Sequence, residues 1–96
     1  MFIWDIPKAK ANVEKHGVPF EEAATVFCDA NGLDWDEVAE GSYERRFKRL
    51  GLSVNKWLVL VVYTIRRMEH EQETVRIISA RHASEREGRA YLRFTH

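Results

Sequence analysis

Guanidinium, carboxylate, imidazole, ammonium and phenol groups recur along this chain in a pattern suited to holding an anion and moving protons. Arg46, Arg66 and Arg81 each fall within or at the end of a strand-like segment. A guanidinium is permanently charged, and its planar fork matches two phosphate oxygens at once. These three arginines are therefore candidates for binding phosphate and for stabilising charge on phosphorus oxygens in a transition state. Glu44, Lys15, His16 and Tyr91 are groups that can take or give a proton. Each residue also has a plainer reading. Arg46 and Arg81 can pair with Glu44 and Glu87 on a solvated sheet edge. His16 suits the negative end of a helix dipole without any chemistry, and Tyr91, at helical spacing with Phe94, fits a core.

Charge is segregated although the formal net charge is zero. Residues 1–42 carry nine acidic and three basic side chains, whereas residues 43–96 carry six acidic and twelve basic ones. Local potential, more than net charge, decides what a surface attracts. The basic half can thus hold a polyanion, unless the two halves mainly neutralise each other.

At 96 residues the chain is expected to form one domain with one core. The single cysteine, Cys28, rules out an intrachain disulfide, leaves too few thiolates for structural zinc, and reads as a small core residue. His70, His82 and His96 show no ligand spacing with Cys, Asp or Glu, so neither a metal nor another cofactor is expected. The longest apolar run, 57–63, is too short to span a bilayer, and the N-terminus lacks the blocks of a signal peptide. A soluble, cytoplasmic protein with no membrane partner is the expectation.

The elements that must position these groups follow from local signals. Residues 2–4 read as a short strand. Asp5 then caps a helix whose first turn tolerates Pro7 and which stops at Gly17, with Lys15 and His16 in its last turn. Pro19 opens a second helix, with Glu21 and Glu22 in its first turn and Phe20, Ala23, Ala24 and Phe27 on one face. Residues 29–42 read as an acidic loop, in which Trp35 is exposed and able to meet a partner or stack on a base. Strand-like segments follow at 43–52, 57–66 and 74–81, joined by turns at 55–56 and 67–73, with 57–65 as the central strand. Trp4 and Trp57 read as core.

Ser84 and Glu87 form a capping box at the head of a last helix, whose apolar face is Ala83, Ala90, Tyr91 and Phe94. The expected fold class is α+β: an antiparallel sheet of three to four strands packed with two N-terminal helices and a C-terminal helix. Alternation places Glu44, Arg46 and Lys48 on one face of their strand, and Thr64 and Arg66 on one face of the next. It places Val75, Ile77, Ser79 and Arg81 opposite Arg76, Ile78 and Ala80 on the third.

Two strings stand out. The first is Trp4-Asp5-x-x-Lys8-x-x-x-Asn12-x-x-Lys15-His16-Gly17-Val18-x-Phe20-x-Glu22-Ala23. The second is Arg76-Ile77-Ile78-Ser79-Ala80-Arg81-x-Ala83. With Val26-Phe27-x-Asp29, Glu44-x-Arg46, Gly51 and the stretch through Glu87 to Tyr91, they resemble the BrnT family of small bacterial ribonuclease toxins. The resemblance covers most of residues 1–96. It departs at Glu40-Gly41-Ser42, where a His-Ser pair is usual, and at Ser53-Val54-Asn55-Lys56, where a glycine-rich turn is usual; no loop histidine is available here as acid or base.

The resemblance implies a RelE-like fold, an RNA substrate, RNA cleavage that arrests translation, and neutralisation by a BrnA-like antitoxin that joins the toxin in repressing their promoter. Promoter DNA would be met only through that complex, and the ribosome is a conceivable further partner. A metal-free ribonuclease must deprotonate the ribose 2′-hydroxyl, stabilise the phosphorane charge and protonate the departing 5′-oxygen. Glu44 is the more natural base and His16 or Lys15 the more natural acid, with Arg46, Arg66 and Arg81 on the phosphate. The competing reading is a non-catalytic module that binds nucleic acid or antitoxin as a repressor subunit. A small-molecule enzyme fits poorly, because the chain has no glycine-rich phosphate loop and no metal signature.

Overall fold

A computed structural model describes residues 1–37, 44–67 and 72–95. The expected turn at 67–73, His70 and His96, and the Glu40-Gly41-Ser42 segment fall wholly or mainly outside these. The chain runs β1 (Phe2–Ile3), α1 (Ile6–His16), α2 (Phe20–Thr25), a 3-10 turn (Val26–Cys28), β2 (Leu33–Glu37), β3 (Arg46–Leu52), β4 (Leu58–Arg67), β5 (Glu73–His82) and α3 (Glu85–Thr95). The sheet order is β1-β5-β4-β3-β2, with β4 at its centre as the apolar run implies.

The sheet has five strands and is mixed, which exceeds the three to four antiparallel strands expected. β1 pairs parallel with β5. β2 lies within the stretch read as a loop and pairs antiparallel with β3, with Asp34 opposite Arg49 and Glu37 opposite Arg46. Acidic residues are poor strand formers in isolation. Here they face a basic strand, and opposite charges across a pair stabilise it.

Side chains on one face of the sheet meet α1 and α2. Val59 and Val61 of β4 and Ile77 and Ala80 of β5 pack with Val18, Phe20, Ala23 and Val26 in one buried cluster, which Trp4 and Phe27 flank. Asn12 fixes α1 on this layer: its Nδ2 donates to Val18 O and Ala80 O at 2.9 and 2.8 Å, and its Oδ1 accepts from Ala80 N at 3.1 Å. Gly17, at φ 73°, ends α1 in the left-handed conformation. Gly51 lets β3 pass the 3-10 turn so closely that a Cβ would sit 2.9 Å from Val26.

On the opposite face, among the described residues, α3 covers the half of the sheet toward Leu50 and Leu60. α3 lays Tyr91 on Leu50 and Leu60, with Leu33, Leu52, Leu58 and Ala83 around them. Its capping box forms as expected, with Ser84 N donating to Glu87 Oε1 at 2.8 Å and Glu87 N to Ser84 Oγ at 3.2 Å.

Three core assignments need correction. Cys28, at the end of the 3-10 turn, is exposed. Trp57 precedes the first residue of β4, beyond the cover of either helix layer, and is 55 % exposed with only the His82 ring against its edge. Phe94, nearly one turn past Tyr91, is 69 % exposed.

Candidate active site

Beyond α3, the other half of that face presents a polar row. Glu37 is opposite Arg46. Phe47 pairs with Tyr63, which sets Arg46 beside Thr64, and Thr64 pairs with Arg76. Arg76 belongs to this row because of a bulge. Val62 pairs with Ser79 but Tyr63 pairs with Ile77, so Ile78 is an extra residue in β5. One extra residue reverses the facing of everything beyond it. This corrects the simple alternation, which set Arg76 opposite Arg81; both point to the same side.

A cleft of about 60 Å³ opens over this row, lined by Arg46, Arg76, Glu44, Ile77 and Ile78, with Asp5 and Lys8 from the head of α1. It is small and polar beside the apolar hollows of about 370–450 Å³ elsewhere on the protein, which suits a compact anion. Asp5 precedes α1 but makes no side-chain cap hydrogen bond, contrary to the role expected of it. Among the described residues the buried Arg46 Nε and Thr64 Oγ1 have no hydrogen-bond partner, and neither has Glu37 Oε2. Buried polar atoms are nearly always paired; these three share one row of the sheet, and Arg46 is the one whose side chain lines the cleft.

The cleft gathers some of the seven sequence-nominated residues and leaves others elsewhere. Glu44 and Arg46 line it, and Arg66 reaches Glu44 at 3.7 Å on its rim, with both side chains 46 % exposed. Arg81 lies on the same face under the other end. Its Nη1 and Nη2 donate to the two Glu87 carboxylate oxygens at 2.8 and 2.9 Å. That fork raises the Arg81 pKa and, against the cost of burial, holds the Glu87 carboxyl below its ordinary range.

Tyr91 donates its hydroxyl to Asp29 Oδ2 at 2.7 Å, and burial together with that carboxylate pushes it up to about 12. Burial would raise Asp29, but the Leu52 N–H, the Tyr91 hydroxyl and the Asn31 N–H outweigh it and hold the carboxyl low. Lys15 and His16 sit in the last turn of α1, the helix packed on the other side of the sheet. Asp5, Lys8 and Arg76 were not nominated as site residues. Their signal was present, since all three belong to the two strings and the fold brings those strings together at this cleft.

Larger and more apolar hollows lie beside Cys28 and Val54, about 370 Å³ and without an arginine, and beside Leu33 and Leu50, about 450 Å³ with Arg86 alone. Among the described residues no group of three or more His, Cys, Asp or Glu is placed to hold a metal ion, and no helix is long and apolar enough to cross a membrane.

Residues 4–87 match the family described as the ribonuclease toxin, BrnT, of type II toxin-antitoxin systems. The chain belongs to the BrnT family. Its fold is also similar to the crystal structure of the Brucella abortus ribonuclease toxin BrnT, with a TM-score of 0.63 at 23 % identity, covering 88 % of this chain and 99 % of that one. No curated protein sequence matches it. As a BrnT-family toxin the chain implies a cognate antitoxin as partner and RNA as substrate.

Proposed function

We infer that this BrnT-family chain is a metal-independent endoribonuclease whose scissile phosphate is held between Arg46 and Arg76. The observation that carries the reading is the convergence of Arg46 and Arg76 in one small polar cleft with Glu44 and Lys8. A guanidinium held in place before substrate arrives stabilises phosphorane charge without reorganising at the moment of reaction. Glu44 accepts the proton of the 2′-hydroxyl, and the 2′-oxygen bonds to phosphorus. The bond to the 5′-oxygen breaks, and the Lys8 ammonium protonates the leaving oxygen. Asp5 lines the same cleft three residues before Lys8. The products are a 2′,3′-cyclic phosphate and a 5′-hydroxyl.

In the cell this activity arrests translation in the cytoplasm, and a BrnA-like antitoxin silences it by covering the open basic face. Electrostatic complementarity would steer an acidic antitoxin segment onto Arg46 and Arg76. The test is incubation of antitoxin-free chain with mixed-sequence RNA in excess EDTA, followed by analysis of the ends. Cyclic phosphate and 5′-hydroxyl ends are expected. Intact RNA, or cleavage only when a divalent ion is restored, would overturn the mechanism.

A further inference from the structure

One row nearer α3 on the same face, Trp35 stands on edge strand β2 opposite Lys48, 40 % exposed. Beside it lies a hollow of about 450 Å³ between the sheet and α3, with Leu33 and Leu50 as apolar walls and Arg86 and Glu87 contributing polar groups. A large exposed aromatic on an edge strand is a liability unless something binds it.

We propose that this hollow is a nucleobase subsite, in which a base next to the scissile phosphate stacks on Trp35. The proposal rests on the phosphate-cleft reading and adds to it the part of the RNA that the cleft is too small to hold. Three observations support it. Sequence-tolerant recognition of single-stranded RNA uses aromatic faces and arginine planes for unstacked bases, and Trp35 and Arg86 supply one of each. The volume falls in the range of sites that take a small organic group, with mostly apolar walls and few polar atoms.

The spacing also fits. Rows two residues apart lie about 7 Å apart along a strand and neighbouring strands about 4.8 Å apart, so Trp35 is about 8–9 Å from Arg46, the near wall of the cleft, and about 16 Å from Arg76, its far wall; a base beside a phosphate seated on the Arg46 side can reach it. Lys48 stands between the two sites on the same face, held at 3.7 Å from Glu37, where it meets the connecting backbone.

The test uses the full, antitoxin-free chain and two 2′-O-methyl oligonucleotides of equal length, one carrying bases and one abasic; neither has a 2′-hydroxyl to attack. Trp35→Ala is expected to weaken the base-bearing oligonucleotide by about 5- to 150-fold, with no change in the abasic one and no change in the salt slope. Trp35→Phe should recover part of the loss. Arg76→Ala, which removes a phosphate contact, should weaken both oligonucleotides alike. That variant tests the cleft alone, so its failure is distinguishable from failure of the base site. Equal affinity of wild type and Trp35→Ala for the base-bearing oligonucleotide would overturn the proposal. So would a Trp35→Ala variant that loses antitoxin but keeps both oligonucleotides, since the surface would then belong to the antitoxin.

Discussion

Arg81 and Arg76 point from the same strand to the same side of the sheet, yet one is clasped by a carboxylate and the other lies in a row where several buried polar atoms have no partner among the described residues. At the α3 end, Arg81 is clasped by both oxygens of Glu87, Glu87 also closes the capping box, and Tyr91 is tied to Asp29. At the open end, Arg46 Nε, Thr64 Oγ1 and Glu37 Oε2 are buried without partners among the described residues. The cationic side chain is the same; the surroundings decide whether it braces the fold or waits for an anion. An arginine already forked by a carboxylate is poorly placed to fork onto a phosphate as well, so the proposed mechanism assigns Arg81 to bracing the fold and the open-end arginines to the phosphate.

The strongest way to break this contrast is to remove the open-end arginines. Arg46→Ala or Arg76→Ala should each lower single-turnover RNA cleavage by about 10²- to 10³-fold, the usual effect of deleting one preorganised donor to a developing oxyanion. Urea unfolding midpoints should stay close to wild type, because neither side chain makes a hydrogen bond or ion pair among the described residues. Arg46→Lys should fall between, since an ammonium keeps the charge and loses the fork. A large loss of stability with cleavage retained in the folded fraction would reverse the assignment of the two ends.

At the covered end the expectation is opposite: stability moves and chemistry does not. Asp29→Ala removes the acceptor of Leu52 N–H and of the Tyr91 hydroxyl and should cost about 2–3 kcal/mol. Glu87→Ala removes the Arg81 fork and half of the capping box, about 1–2 kcal/mol for partly exposed groups. Both carboxyls are held below their ordinary values of 3.8 and 4.5. Their contribution is therefore present above those values and is lost as pH falls through the lower folded ones, so acid unfolding should set in below about pH 4. Glu87→Gln should unfold with a shallower acid limb than wild type. Tyr91, pushed up to about 12, has the reverse sign: its contribution is present below pH 10 and is lost as pH rises toward 12.

The two ends also differ in how readable they were. Ser84 and Glu87 sit three apart before an apolar helical face, and the capping box forms as that spacing demands. The central strand was legible because apolar residues on both of its faces require cover on both. The open end was harder to read, because its geometry depends on relations between distant segments. β2 pairs with β3 where Asp34 and Glu37 form ion pairs with Arg49 and Lys48, a stabilisation invisible within the acidic stretch itself. The facing of Arg76 depends on the Ile78 bulge, which no local alternation announces. Asp5 and Lys8 looked like ordinary helix-head residues until the fold carried α1 to β5.

The smallest effect should come from Arg66, which sharpens the boundary of the open site. Its 3.7 Å pairing with Glu44, with both side chains 46 % exposed, is the kind of surface ion pair that contributes at most about 1 kcal/mol. Arg66→Ala should therefore leave unfolding nearly unchanged and alter the cleavage step itself only modestly. If Arg66 tracks the RNA backbone at the rim, the variant should lower RNA affinity uniformly across sequences and reduce the salt slope of binding by about one. An unchanged slope would confine phosphate contacts to the cleft and leave Arg66 as a partner for Glu44 alone. A cleavage defect as deep as that of Arg46→Ala would instead extend the reactive site to the rim and require Arg66 to reach the phosphate during the reaction.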